Sequence, residues 1–212
     1  MDDEVLGVGG TIIKHTQSGD YVAVCFVCNR AYGHKYIKKL IVEEKKAAFK
    51  TKEILGYQEI KFLDLNDEKL DHMLQVTLIP LEEYMKQLKP EIVYINHRQD
   101  IHQDHKIVFQ AGVIVCKNLL DYKIKKVMCY ETPSSTTESP PFLEFAFQPN
   151  YYVDIEPYLE KKLKALRCYK KELRNFPHPR SVEGVKILAM KRGIEAGLRY
   201  AEAFMVMKEI CQ

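Results

Sequence analysis

The stretch that most constrains this chain is Tyr21-Val22-Ala23-Val24-Cys25-Phe26-Val27-Cys28. It carries no charge and shows no alternation of polar with apolar positions. A strand with one wet face alternates, whereas a strand covered on both faces reads as a continuous apolar run. The run therefore predicts a central parallel strand, and such a strand demands helices on both sides of its sheet. The rest of the sequence supplies the rhythm. An apolar helical pattern covers 5–18 and ends at Gly19-Asp20, and a second helix covers 41–55 with Gly56 as its stop. A strand over 58–65 follows, then a helix over 81–89 with Pro80 near its first turn. A strand over 91–96, a helix over 107–120 and a strand over 126–130 come next. An extended segment within 145–153 precedes a helix over 156–173. A last long helix runs from 182 to about 200, and 201–204 leads into the tail. Strands alternating with helices predict an α/β fold: a three-layer, Rossmann-like, doubly wound and mainly parallel sheet. No internal repeat and no linker divides it, so 1–212 is expected to be one domain.

The composition narrows the function classes. Charged residues make up 29% of the chain and the formal net charge is +3. Lysines are spread along predicted helix surfaces rather than gathered in one patch, which argues against a nucleic-acid partner. The acidic start is unlike a secretory leader, and no run of 18 apolar residues predicts a membrane span. Of the six cysteines only Cys25 and Cys28 are close. Three apart on a strand, they face opposite sides. The reading is reduced thiols in a cytoplasmic protein.

In doubly wound folds, ligands bind beyond the carboxyl ends of the strands. Three polar loops follow strands here, at 29–36, 97–105 and 131–141, and are expected to share one rim. The second carries His102-Gln103-Asp104-His105, three ligand-type residues in four positions. It reads either as a metal site or as solvated loop residues opening a helix. The start of the chain carries Asp2-Asp3-Glu4. Adjacent carboxylates repel unless a cation or proton joins them. They read as half of a hydrolytic metal site or as a charged helix start. Arg30 in the first loop is a candidate clamp for a polar substrate group. His178 and Arg180, between prolines, are candidates for the cleft wall or for a rigid turn.

Together these motifs resemble the LmbE-like, PIG-L-type metal-dependent de-N-acetylases. That family's first motif reads A-H-x-D-D-E followed by G-x-G-G-T-I, and its second reads H-x-D-H. This sequence has Asp2-Asp3-Glu4, then Gly7-Val8-Gly9-Gly10-Thr11-Ile12, and His102-Gln103-Asp104-His105. A late R-G…G…Y-A-E-A-F pattern recurs as Arg192-Gly193, Gly197 and Tyr200-Ala201-Glu202-Ala203-Phe204. The resemblance implies Asp2 as general base, Asp3 and His105 as ligands of zinc or another divalent metal, and His102 acting on the tetrahedral intermediate. Asp104 would orient a histidine. The implied substrate is an N-acetyl amino sugar or glycoconjugate, and a homo-oligomer is compatible with the family. The alternative is an impaired deacetylase fold that binds sugar or serves as a structural subunit. The family also has a strand and a ligand histidine ahead of the aspartate pair. The expectation is therefore a longer protein whose first strand ends Ala-His-Met-Asp-Asp-Glu, with Met1 internal.

Overall fold

The apolar run forms the strand it predicts, β1 (Ala23–Asn29), behind the first helix, α1 (Asp3–Gln17). The chain continues through α2 (Lys38–Leu55), β2 (Glu59–Asn66), α3 (Leu74–Leu88), β3 (Ile92–Asn96) and α4 (Gln103–Val115). It ends with β4 (Lys126–Tyr130), β5 (Tyr151–Asp154), α5 (Leu159–Leu166), α6 (Val182–Glu195) and β6 (Ala201–Glu209). This is a computed structural model that describes residues 1–70, 74–98, 100–117 and 122–211.

β1 pairs in parallel with β2, Phe26 opposite Phe62. β3 pairs in parallel with β4, Ile92 opposite Lys126. β6 runs antiparallel between β4 and β5 and completes the order β3-β4-β6-β5. One helical layer joins α1, α2, α5 and α6 around a core that includes Val5, Ile12, Val24, Phe26, Ala48, Leu163 and Val185. The opposite layer, α3 packed on α4, covers Ile95, Val127 and Cys129 with Met85 and Val115. The three layers are those expected.

The two sheets do not join. Among the described residues no strand pairs with the inner edge of β1 or with the facing edge of β3. Both edges line one cavity of about 830 Å³, which takes in every residue from Tyr21 to Cys28 and from Lys89 to Asn96. Its other walls are Val8 and Ile12 of α1, Tyr84 and Met85 of α3, and Val108 and Gly112 of α4. Met1, Asp2 and Asp3 line the same cavity, as do Arg30, His102, His105 and Arg180. Buried backbone donors and acceptors are nearly always paired, and among the described residues no strand supplies partners along this slot.

The position of α1 is set by close approach and by one buried ion pair. A Cβ on Gly7 would stand 2.3 Å from Tyr130 Cδ2, and one on Gly10 would stand 2.5 Å from Ile155 Cγ2. Only glycine lets the helix lie this near β4 and the segment after β5. Glu202 of β6 then reaches α1 directly. Its carboxylate accepts from Gly10 N and Thr11 N, each at 2.7 Å, and from Thr11 Oγ1 at 2.6 Å. Lys162 of α5 donates to Glu202 Oε1 at 2.6 Å and to Leu6 O at 2.8 Å.

Several element boundaries differ from the sequence reading. β6 is a nine-residue strand where a tail was expected. Its one buried carboxylate, Glu202, is neutralised by Lys162. α6 stops at Glu195, because Gly193 packs on the Leu198–Arg199 backbone and Gly197 takes φ 70°. α3 starts at Leu74, so Pro80 lies inside the helix and not near its first turn. The helix expected over 156–173 is a 3₁₀ turn at Glu156–Tyr158 followed by the eight residues of α5. The expected end of α4 at 118–120 lies outside the described residues.

Candidate metal centre

Asp2 precedes α1 with φ −134° and makes no side-chain cap to the helix. Its carboxylate is buried, 2% exposed, and is spent on something other than capping. Asp3 follows within the first turn, and His105 reaches it from the first turn of α4. His105 Nε2 stands 3.7 Å from Asp3 Oδ2. Two donors on one tetrahedral zinc stand about 3.3 Å apart, so this pair is spaced for a shared ion. The other ring nitrogen, His105 Nδ1, lies 2.9 Å from Asp100 Oδ2. Asp100 is fully buried. It also accepts from His102 N at 3.0 Å and from Thr136 Oγ1 at 3.3 Å. A carboxylate behind a ligand histidine fixes its tautomer and orientation. Asp100 stands in that place behind His105.

Asp104 was expected to orient a histidine. It is buried, and its oxygens accept from Glu68 N at 2.5 Å and Leu70 N at 3.3 Å, tying α4 to the segment after β2. Among the described residues its histidine neighbour is His102, 3.9 Å away at Nδ1. Asp67, His102 and Asp104 bring donor atoms within 4.8 Å of one another, a second grouping of ligand type. Asp67 Oδ1 is also engaged, accepting from Ala31 N at 3.1 Å. By contrast Asp2 Oδ2 and Asp3 Oδ1 are buried with no hydrogen-bond partner. Buried acceptors left bare are costly, and a divalent cation satisfies them. The donor set at Asp3 and His105 therefore fits a cation better than the Asp67 group does.

The electrostatics separate the two adjacent aspartates. Burial pushes the Asp2 carboxyl up, against the pull of Arg180, whose Nη1 lies 3.6 Å from Oδ2. Burial acts on Asp3 as well, but His105 and Arg180 pull the other way and its carboxyl is held low. His102 stacks on His105 with ring centroids 4.8 Å apart. Burial and the neighbouring His105 lower the His102 pKa, which favours a neutral ring with one N–H to give.

Arg30 and Arg180 both line the cavity. Glu172, a residue the sequence did not single out, joins them. Its Oε2 accepts from Arg30 Nη1 and, at 3.2 Å, from Arg180 Nη1. His178 is not on the cavity wall. Its Nδ1 accepts from Arg180 N at 3.0 Å, so it shapes the turn that carries Arg180. Glu202 pairs with Lys162 and with the backbone of α1. Arg192 makes a two-pronged pair with Glu131 at 2.6 and 2.7 Å. This fixes the start of the loop whose Pro133 O accepts from Arg180 Nε at 3.4 Å.

A three-layer α/β domain with an aspartate pair and an H-x-D-H segment meeting at its rim is the architecture of a metal-dependent hydrolase. The chain belongs to the PIG-L (GlcNAc-PI de-N-acetylase) family, whose model it matches over residues 1–116. It is 30% identical over 175 residues to the uncharacterized deacetylase YaiS of Escherichia coli, covering 80% of this chain and 85% of that one. It is 27% identical to the diacetylchitobiose deacetylase of Thermococcus kodakarensis, over 95% of this chain and 78% of the relative. The fold matches the N,N'-diacetylchitobiose deacetylase of Pyrococcus horikoshii with a TM-score of 0.78 at 22% identity, over 97% of this chain and 80% of that one. Among the described residues no helix is long and apolar enough to cross a membrane.

Proposed function

We propose that this chain is one hydrolase domain that removes an acetyl group from an N-acetylated amino sugar or a conjugate of one, with zinc as its metal. The observation that carries this reading is the meeting of Asp2, Asp3, His102 and His105 in a cavity where Asp2 Oδ2 and Asp3 Oδ1 are buried and bare. The sugar follows from the relatives, two of which are diacetylchitobiose deacetylases. A divalent ion held by Asp3 and His105 would supply Lewis-acid chemistry, polarising the amide carbonyl and acidifying water. Asp2 Oδ2 faces the same space and takes the proton from the attacking water. Burial makes Asp2 a stronger base than an exposed aspartate. The same carboxyl returns that proton to the leaving amine. His102 gives its N–H to the oxygen that gains charge in the tetrahedral intermediate. Arg30 binds a polar group of the sugar. Arg180 holds Asp2 in place through its guanidinium. All six cysteines are free, which supports a reducing, cytoplasmic setting.

The slot between β1 and β3 supports a further part of this reading: one more parallel strand completes the sheet and joins the chain at Met1. Such a strand would end beside Asp2 and Asp3 and place a third ligand there. Asp3 and His105 alone are one ligand short of a hydrolytic zinc site. That shortfall favours, as the second reading, a sugar-binding protein without turnover. The test is zinc content and acetate release from N-acetylglucosamine and N,N'-diacetylchitobiose, with and without an apolar strand ending in His joined to Met1. Stoichiometric zinc and acetate release with the strand support the enzyme. Sugar binding without acetate release in both forms supports the second reading.

A further inference from the structure

We infer that Glu172 is a positioning residue for the substrate side of the site, acting through Arg30 and Arg180. The inference rests on the sugar-deacetylase reading for its ligand, but its geometry stands alone. Four charged groups alternate in sign across the cavity wall. Arg30 bonds to Glu172, Glu172 to Arg180 at 3.2 Å, and Arg180 lies 3.6 Å from Asp2. The arginines come from loops far apart in sequence, one after β1 and one before α6. A single oxygen, Glu172 Oε2, takes a donor from each.

The clamp is built to be rigid. Glu172 is 1% exposed. It sits in the turn after α5, where Glu172 N and Leu173 N both donate to Tyr169 O at 3.0 Å. The Tyr169 ring is itself fully buried, and its hydroxyl donates to Glu4 Oε1 at 2.6 Å. Glu4 adjoins Asp3, so the turn is anchored to the start of the helix that carries the aspartates. Arg30 is held on its other side by the Tyr32 ring, 5.4 Å away. With one nitrogen tied down, the guanidinium keeps its remaining N–H groups in a fixed plane. Arg30 Nε is buried and unpartnered, and Arg30 lines the cavity while Glu172 does not. A guanidinium held in place at a cavity wall suits a ligand with hydroxyl or carbonyl oxygens. Without Glu172 the two guanidinium groups would face each other with no charge between them, and Arg30 would turn toward solvent.

The experiment is a double-mutant cycle of Glu172→Gln and Arg30→Ala, read by the binding of N,N'-diacetylchitobiose to the zinc-supplemented protein. Glu172→Gln is expected to weaken binding about tenfold, as Arg30→Ala does, and the double variant to be less than threefold weaker than either. Turnover, where present, should show the loss in KM more than in kcat. Effects of the two changes that multiply in full, or a Glu172→Gln dissociation constant within twofold of the parent, would overturn the inference. A second readout needs no sugar. The side-chain Nε–H resonance of Arg30 should be sharp and slow to exchange in the parent and broadened in Glu172→Gln, and an unchanged resonance would equally sink the role. If no sugar binds the parent with the strand joined to Met1, the deacetylase reading fails, while this resonance still decides the clamp. Should Glu172→Gln not fold, Glu172→Asp keeps the charge but shortens the reach. It should show the same coupling to Arg30 in weaker form, and its absence counts against the clamp.

Discussion

Adding one methyl group to α1 tests whether close packing sets the metal centre. In Gly7→Ala the new Cβ would meet Tyr130 Cδ2 at 2.3 Å, Tyr130 Cγ at 2.9 Å and Glu131 O at 3.0 Å. The ring and a backbone carbonyl block it at once, and neither is the free end of a flexible chain. Gly9→Ala is the control. Its nearest neighbour is Lys162 Cγ at 3.2 Å, a methylene that need move only a few tenths of an ångström. Both positions lie inside the same helix, so both gain about 1 kcal/mol from alanine's helix propensity. That gain cancels in the comparison. Overpacking a well-filled site costs about 1–3 kcal/mol, so Gly7→Ala should be less stable than Gly9→Ala by that amount. In a domain of this size the gap corresponds to roughly 2–12 °C in melting temperature. Thermal and urea unfolding of the two variants, run side by side, measures it. Gly7→Ala should also bind zinc more weakly, since α1 carries Asp3, while Gly9→Ala should match the parent. Equal melting temperatures would refute the argument that Gly7 is required for the approach of α1 to β4.

Three further outcomes are expected. Asp100→Asn should weaken zinc binding about 10- to 100-fold in a chelator competition, because it removes the charge behind His105 Nδ1 while leaving Asp3 and His105 in place. Lys162→Met should cost about 3–5 kcal/mol in chemical denaturation by stranding the buried Glu202 carboxylate, and adding Glu202→Gln should recover much of it. Burial draws the His105 pKa down, but Asp3 and Asp100 outweigh it and hold the group above the ordinary histidine range. Zinc must displace that proton. Affinity should therefore fall as pH drops through and below that range, with proton release visible when calorimetry is repeated in buffers of different ionisation enthalpy.

What the sequence revealed and what it hid follow from the physics of each element. β1 and β3 were legible because strands covered on both faces must be apolar throughout. α2 was legible to its end because Gly56 takes the left-handed conformation at φ 89°. β6 was hidden by Glu202, whose partner Lys162 is 40 residues away in sequence. No local pattern announces a pairing at that distance. The same holds at the site. Asp2, Asp3, His102 and His105 stood out because ligand-type residues crowd together in the chain. Asp100 was visible as one more polar residue, yet its place behind His105 depends on how the loop after β3 turns. Glu172 lay in an ordinary amphipathic pattern, and only folding shows it between two arginines from different loops. His178 and Arg180 looked alike in sequence, but one shapes the turn and the other reaches the cavity.

The seam between the two sheets has a consequence for how the protein holds together. Asp3 stands on α1 and His105 on α4, and both helices are walls of the slot. A cation bound to both would tie these two walls together. Whatever fills the slot brings these ligands into register, and whatever binds the ligands draws the slot's walls together. By thermodynamic reciprocity the two events must favour each other by the same free energy. Zinc should therefore raise the melting temperature more when the slot is filled than when it is empty. Metal affinity in this fold then doubles as a gauge of whether its sheet is whole.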